Sequence, residues 1–333
     1  MKRHCLTTLP LAALGIAAAV ALLRLPVHAQ VYPLKPVQII VPFSAGGDGD
    51  LSARNLAAHA QTRLGQPIVV VNKAGASGAI GSQIVKDAAP DGYTLLLART
   101  GSQVLLPALQ PKTTAYRWND FTFLGLLDLN PVICVVHADS PYRSFDDLVQ
   151  AIRARPGKLN YSHSGIATVQ NLTPQLLFSN LGMASDAAVN VPYKGGGEVA
   201  LAVISKEVDF ACNNLSSMVG NLSGGKLRPL VTTTPTRLER LPDVPSAREL
   251  GFPQLEAVVG WSALYGPPKM DEALVKRWAA LLQGVANDPK WQAGTGNFGG
   301  IAHVLSPAET QKYVGDSFAV YQNLVEKAGL EIK

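Results

Sequence analysis

"VPFSAGGDGDLSARNLA" (residues 41–57) joins an apolar strand to a helical pattern through two glycines and two acids. Gln38-Ile39-Ile40-Val41 reads as a buried strand that stops at Pro42, and a helical period begins near Leu51. In open α/β sheets, ligands sit beyond the carboxyl ends of the strands. A helix start there presents unpaired N–H groups and a partial positive charge, a setting that favours anions. Glycine lets the backbone approach a ligand closely. Asp48 and Asp50 would repel an anion if they faced it. They are therefore expected to cap the helix, an interaction worth about 1 kcal/mol. Ser44, Ala45, Gly46 and Gly47 are left as the ligand-facing backbone. A plain glycine turn with a good cap is the simpler alternative.

Two more loops have the same position after a strand and before a helix. They are Lys73–Gly81 (KAGASGAIG) and Ser162–Thr168 (SHSGIAT). Short apolar runs alternate with helical stretches along the rest of the chain, which predicts an α/β fold with mostly parallel sheets. Expected strands include 124–127, 132–136, 188–191, 209–212 and 257–265. Loop-rich segments at 103–120 and 234–253, the latter with Pro235, Pro242, Pro245 and Pro253, bracket a middle block. The chain is expected to leave one lobe, build a second and return. This gives lobe 1 at 30–127 with 254–333, lobe 2 at 128–253, two hinge crossings and a cleft between the lobes.

The first residues have the layout of a secretory signal peptide. Lys2 and Arg3 precede an apolar run, Leu11–Leu23, and a small-residue site, Val27-His28-Ala29. The run is shorter than the roughly 20 residues that span a bilayer. Cleavage near Ala29 leaves a mature chain of about 300 residues, enough for two ordinary domains. The net charge of +5 loses three units with Lys2, Arg3 and Arg24. What remains is too weak to argue for nucleic acid. Cys134 and Cys212 lie in apolar runs. Buried free thiols are the bland reading, and a disulfide stays possible in an oxidising compartment.

Enzyme motifs fail on inspection. Gly220–Lys226 (GNLSGGK) has P-loop spacing, but Leu227 stands where Ser or Thr would hold magnesium. Gly75–Gly81 lacks the dinucleotide spacing, and no G-x-S-x-G elbow is present. His59, His137, His163 and His303 show no metal-ligand spacing. A hydrolase built on Ser164 and His163 has no acid placed to orient the imidazole. The four tryptophans, Trp118, Trp261, Trp278 and Trp291, read as packing residues.

"YPLKPVQIIVPFSAGG" (32–47) resembles the mature start of the Bug-type solute receptors of tripartite tricarboxylate transporters. Asp50 and Arg54 stand at the acid and arginine of that family's opening motif. "LGQPIVVVNKAGASGAIGS" (64–82), "APDGYTLLLA" (89–98), "RPGKLNYSHSG" (155–165), "VPYKGGGEVAL" (191–201), "GKLRPLVTT" (225–233) and "RLPDVPSARELGFP" (240–253) continue the likeness in the family's order. The resemblance implies a monomeric periplasmic receptor with a two-lobe, type II-like binding-protein fold. It implies capture of a small carboxylate (a di- or tricarboxylate, or an aromatic acid) and delivery to membrane permease subunits, with no cofactor or metal. It places the ligand at Ser44, Ala45, Gly46 and Gly47, at Ser164, Gly165, Ile166, Ala167 and Thr168, at Gly101 and Ser102 on the far side of the cleft, and at Asn213. A receptor that senses its ligand for a signalling partner shares every one of these features. Ala167, Asn171, Ser44-Ala45 and Asn213 depart from the family pattern, and Asn213 replaces an acid. These departures point to a ligand other than the amino-acid or simple dicarboxylate cases. Arg99, at the end of the Thr94–Ala98 strand, is a candidate for a second ligand carboxylate; a surface arginine is the bland alternative.

Overall fold

β1 (Val37–Val41) is apolar and buried at every position but Gln38, because it lies between two neighbours in a covered sheet. The computed structural model describes residues 32–327. The expected signal peptide and its cleavage site lie outside the described residues. After β1 come α1 (Asp48–Leu64), β2 (Ile68–Asn72), α2 (Ala79–Lys86) and β3 (Thr94–Arg99), with β2 and β3 parallel to β1 on either side. α1 stops at Gly65, whose φ of 82° lets its amide bond back to Gln61. Gly101–Leu105 forms a wide helical turn that runs into α3 (Leu106–Leu109). The expectation of irregular chain from 103 is thus corrected: the segment is helical before it becomes loop.

β4 (Thr122–His137) joins the two halves of the fold in one strand of 16 residues. The two strands expected at 124–127 and 132–136 are thus one. The strand continues because Asn130 and Pro131 still pair with Gly260 and Val259 of β9 (Val259–Gly266). The first half of β4 also pairs with β10 (Ile301–Leu305). Its second half pairs instead with β7 (Phe210–Asn214) and β8 (Leu227–Thr232). The remaining elements are α4 (Phe145–Ala154), β5 (Asn160–His163), α5 (Val169–Asn180), β6 (Val189–Pro192), α6 (Gly196–Ile204), α7 (Val219–Ser223), α8 (Glu272–Ala286), α9 (Pro289–Asn297) and α10 (Pro307–Lys327). The strand order is β2-β1-β3-β9-β4-β7-β5-β6. The chain therefore passes from one half-sheet to the other along β4, and returns between β8 and β9.

Alternate β4 side chains serve opposite cores. Val132, Cys134 and Val136 pack with Phe178 and Phe210, whereas Ile133 and Val135 pack with Val199, Val203 and Met218. Trp261, Trp278 and Trp291 are buried, and Trp118 stacks on Phe318 at 6.1 Å.

The bland expectation of free thiols is corrected. Cys134 and Cys212 form a disulfide, because the antiparallel β4–β7 register sets them directly opposite each other. Sequence alone could not align two strands 78 residues apart. A crosslink closing a loop of this length is worth about 2–4 kcal/mol, mainly by restricting the unfolded chain. The double variant Cys134→Ala/Cys212→Ala is expected to lose about that much unfolding free energy in urea. An unchanged midpoint and slope would show that the crosslink contributes nothing.

Candidate functional site

The loop from β1 to α1 meets the second half of the fold through its backbone. Ser44 N donates to Lys194 O at 3.1 Å, and Asp48 N donates to Ser217 Oγ at 3.0 Å. The N-cap of α1 is Gly47, with no side-chain cap. Asp50 reaches back from the first turn to accept Gly46 N at 3.0 Å and Arg54 Nε at 2.9 Å. Burial pushes its carboxyl up, but Arg54, the Gly46 amide and Asn72 together hold it below the usual 3.8. The capping expectation for Asp48 is corrected. Its Oδ2 accepts from Arg99 Nη2 and from Asn214 Nδ2, the latter at 2.6 Å, and from no helix amide. A buried guanidinium requires a counter-charge more than the helix requires a second acid.

Lys194–Gly197, from the loop after β6 into the first turn of α6, forms the opposing surface. A Cβ on Gly195 would lie 3.0 Å from Ser44 N, and one on Gly197 would lie 3.0 Å from Gly46 O. A Cβ on Gly47 would lie 3.1 Å from Gly196 N. Two glycine loops thus meet backbone to backbone. Sequence reasoning missed this second loop as a site element, although Gly195-Gly196-Gly197 after an apolar strand was the available signal.

The loop from β5 to α5 has Gly165 at a φ of 132°, which favours glycine, and Thr168 as the N-cap of α5. Thr168 Oγ1 donates to Gly165 O at 2.6 Å. Ala167 N donates to Ser77 Oγ at 3.3 Å across the cleft. Ser77 and Ala76 both adopt positive φ without being glycine, at 52° and 48°. Such conformations persist where surrounding contacts hold them. Ser77 was also missed; its glycine loop was legible, but this contact was not. Ser164 is buried beside the cleft, while Ile166 is partly exposed at its mouth.

His163 is fully buried. Its Nδ1 accepts Gly165 N at 3.0 Å, and Nε2 faces Asn190 Oδ1 at 3.3 Å. Burial pushes its pKa down, so the neutral ring with Nε2–H toward Asn190 is the favoured form. No acid orients it, and neither nitrogen bonds to Ser164. The Ser164–His163 hydrolase has no geometry to support it.

Gly101 faces the cleft: a Cβ there would lie 2.9 Å from Ala167 O. Ser102 is buried beneath Gly78, and its hydroxyl donates to Arg99 O at 3.3 Å. Asn213 is committed to protein partners. Its Oδ1 accepts from Gln170 Nε2 at 3.0 Å and Asn214 N at 2.8 Å, and its Nδ2 donates to Gly196 O at 2.9 Å. It braces the starts of α5 and α6. The neighbouring Asn214 is the side chain that lines the cavity.

That cavity lies between the two halves, bounded by Phe43, Asp48, Arg99, Gly101, Ser164, Thr168, Gln170 and Asn214. It measures about 20 Å³, room for about one water. A wider groove of about 600 Å³ opens beside it, past Ser77, Ser164, Gly165, Ile166, Tyr193 and Lys194.

The bland reading of Arg99 as a surface residue is also corrected. Arg99 is 4% exposed and donates to Ser262 Oγ and Asp48. Burial pulls its pKa down to about 10, against the stabilising charge of Asp128. Asp128 accepts from Ser52 Oγ at 2.5 Å, Ser262 Oγ at 2.8 Å and Asn130 Nδ2 at 2.5 Å. Burial nonetheless pushes its carboxyl above 3.8. Ser216 Oγ donates to Asn130 Oδ1, which carries the network across the two halves. Among the described residues no group of three or more His, Cys, Asp or Glu could hold a metal, and no helix is long and apolar enough to cross a membrane.

This architecture has well-defined relatives. Residues 52–330 match the family model described as "Tripartite tricarboxylate transporter family receptor". Protein BugT of Bordetella pertussis is 31% identical over 329 residues, covering 97% of this chain and 98% of the relative. The periplasmic binding protein BugD superposes with a TM-score of 0.85 at 31% identity, covering 91% of this chain and 100% of that one. MatC from Rhodopseudomonas palustris, solved with bound malate, superposes at 0.83 with 28% identity, covering 88% and 100%. The chain belongs to the receptor family of the tripartite tricarboxylate transporters, as a Bug-type solute-binding protein with the α/β fold of periplasmic binding proteins.

Proposed function

We propose that this receptor captures a small carboxylate in the periplasm and delivers it, as a monomer and without a cofactor, to the permease subunits of a tripartite transporter. The observation that carries the reading is the meeting of the starts of α1 and α5 on one cavity shared by both half-sheets, with the glycine start of α6 packed against the loop before α1. The lobes in this reading are 30–127 with 254–333, and 128–253, with export and cleavage near Ala29. The Cys134–Cys212 disulfide suits an oxidising compartment, and malate in the MatC structure suits the ligand class.

Each helix start contributes about 0.3–1 kcal/mol to an exposed anion, and more when water is excluded. Hydrogen bonds to a charged acceptor add about 1.5–3 kcal/mol each. Neither lobe supplies a full set, so a carboxylate favours the state in which both are engaged. The direct contacts Ser44–Lys194 and Ser77–Ala167 support a closed arrangement. A small acid enters when the lobes part at β4 and at the return segment before β9, a hinge motion. No group at the site activates a nucleophile, so capture is the expected outcome rather than turnover.

Thermal unfolding of the mature protein against a panel of mono-, di-, tri- and aromatic carboxylates tests this. A saturating binder raises the melting temperature by mass action. A panel with no shift, or a shift accompanied by product, would refute capture of a carboxylate.

A further inference from the structure

Two buried carboxylates meet one buried cation at the cavity between the half-sheets. Asp48 and Arg99 both line the cavity, and Arg99 donates to Asp48. Behind them Asp128 is enclosed in β4, where Ser52, Ser262 and Asn130 donate to its carboxylate. Ser262 Oγ also accepts from Arg99, so one hydroxyl links the guanidinium to the second acid. With both acids ionised, the cluster carries one negative charge in excess. Among the described residues no other charge faces it. In α1, Asp50 pairs with Arg54, and His59 faces Asp288 further along the helix. β2, β7, β9 and α5 contain no charged residue. Glu198 of α6 accepts Lys194 N, and the His163 ring is engaged by Gly165 and Asn190. The charged side chains within β10, α8, α9 and α10 are exposed.

A ligand carboxylate in this cavity brings a further negative charge against the same guanidinium. Like charges at close range favour the protonated form of an acid. We propose that capture of a carboxylate is coupled to uptake of one proton by the Asp48–Asp128 pair, so that the receptor takes up acid and proton together. The proposal rests on the carboxylate-capture reading and adds a coupling to it. The proton comes from solvent and belongs to the pair, because two acids that share one cation titrate jointly. The cluster has a place for it. The Ser52 hydroxyl, 2.5 Å from Asp128 Oδ2, accepts as readily as it donates, so a protonated carboxyl keeps that hydrogen bond. Burial already pushes Asp128 upward, in the direction the coupling requires. The effect is reciprocal: the ligand raises proton affinity by the factor by which the proton raises ligand affinity. A complex that holds more protons than the free protein binds more tightly as pH falls.

Isothermal calorimetry on the mature wild-type protein with malate, succinate, glutarate and benzoate tests this, in a range where the probes themselves stay ionised. From about pH 8.5 down to about pH 7, the affinity of the acid that binds is expected to rise by about 3–10-fold per pH unit. Titrations near pH 7 in buffers of different ionisation enthalpy are expected to show about 0.5–1 proton taken up per ligand bound. Asp48→Asn keeps the side-chain shape and leaves Arg99 balanced by Asp128 alone. Its affinity is expected to change by less than about 1.5-fold per pH unit and to exceed that of wild type near pH 8.5. A purely structural role for Asp48 would instead lower affinity equally at every pH and leave the wild-type slope in place, which would count against the proposal. Affinity in wild type that does not vary with pH, with no proton taken up, would overturn the coupling and leave carboxylate capture standing. Binding by none of the four acids would count against both. The wild-type titrations decide even where the variant fails to fold.

Discussion

Arg99→Leu is expected to cost about 3–5 kcal/mol of unfolding free energy, the loss that follows removal of one partner from a buried ionic network. Among the described residues, Arg99 is the cation that serves two buried carboxylates, Asp48 and Asp128. Leucine leaves both uncompensated. The penalty carries a pH signature. Burial already pushes Asp128 above 3.8, and loss of the guanidinium pushes it further. An acid whose folded pKa exceeds its unfolded one holds extra protons in the folded state. Its stabilising effect is present at low pH and is lost as pH rises through the raised pKa. The variant is therefore expected to be closest to wild type near pH 4–5 and furthest from it near pH 8. Guanidinium unfolding at both pH values measures this. A loss under about 1 kcal/mol that does not vary with pH would show that Arg99 is not the counter-charge of the network.

Gly101→Val is expected to weaken carboxylate binding by about 10²–10⁴-fold while changing unfolding free energy by no more than about 1 kcal/mol. A Cβ at Gly101 lies 2.9 Å from Ala167 O, on the opposite side of the cleft. Valine holds the second glycine loop away from the first, so the ligand meets the donors of one lobe alone. Losing about two charge-assisted hydrogen bonds gives the stated range. Folding is spared because the clash falls between lobes, which can part. Calorimetric titration with the best binder of the carboxylate panel, beside urea unfolding of the same variant, separates the two effects. Wild-type affinity in this variant would mean that binding does not require the loops to meet.

Much of this was legible in the residues. The apolar runs located most strands, and the loop at 162–168 opens a helix as its place after a strand suggested. Of the two expected clamp loops, 164–168 lines the cavity and the groove, whereas 44–47 packs on Lys194 and the start of α6, and its neighbours Phe43 and Asp48 line the cavity. What stayed hidden depended on pairing between distant segments. β4 looked like two strands because Asp128 and Asn130 interrupt an apolar run; they are buried polar groups satisfied by Ser52, Ser262 and Ser216. Asp48 looked like a cap because its counter-ion is 51 residues away. Asn213 and Asn214 were separable only by strand alternation, which turns one into the fold and the other toward the cavity. The disulfide required the β4–β7 register.

The most direct test of main-chain capture is a crystal structure of the mature protein with the best binder of the carboxylate panel. The account predicts a ligand carboxylate within about 3 Å of backbone amides in 44–47 and at the start of α5, between residues 164 and 170, with both half-sheets engaged. A carboxylate held elsewhere, for example in the apolar groove beside Ile80 and Tyr116, or bound by side-chain cations of one lobe alone, would contradict it.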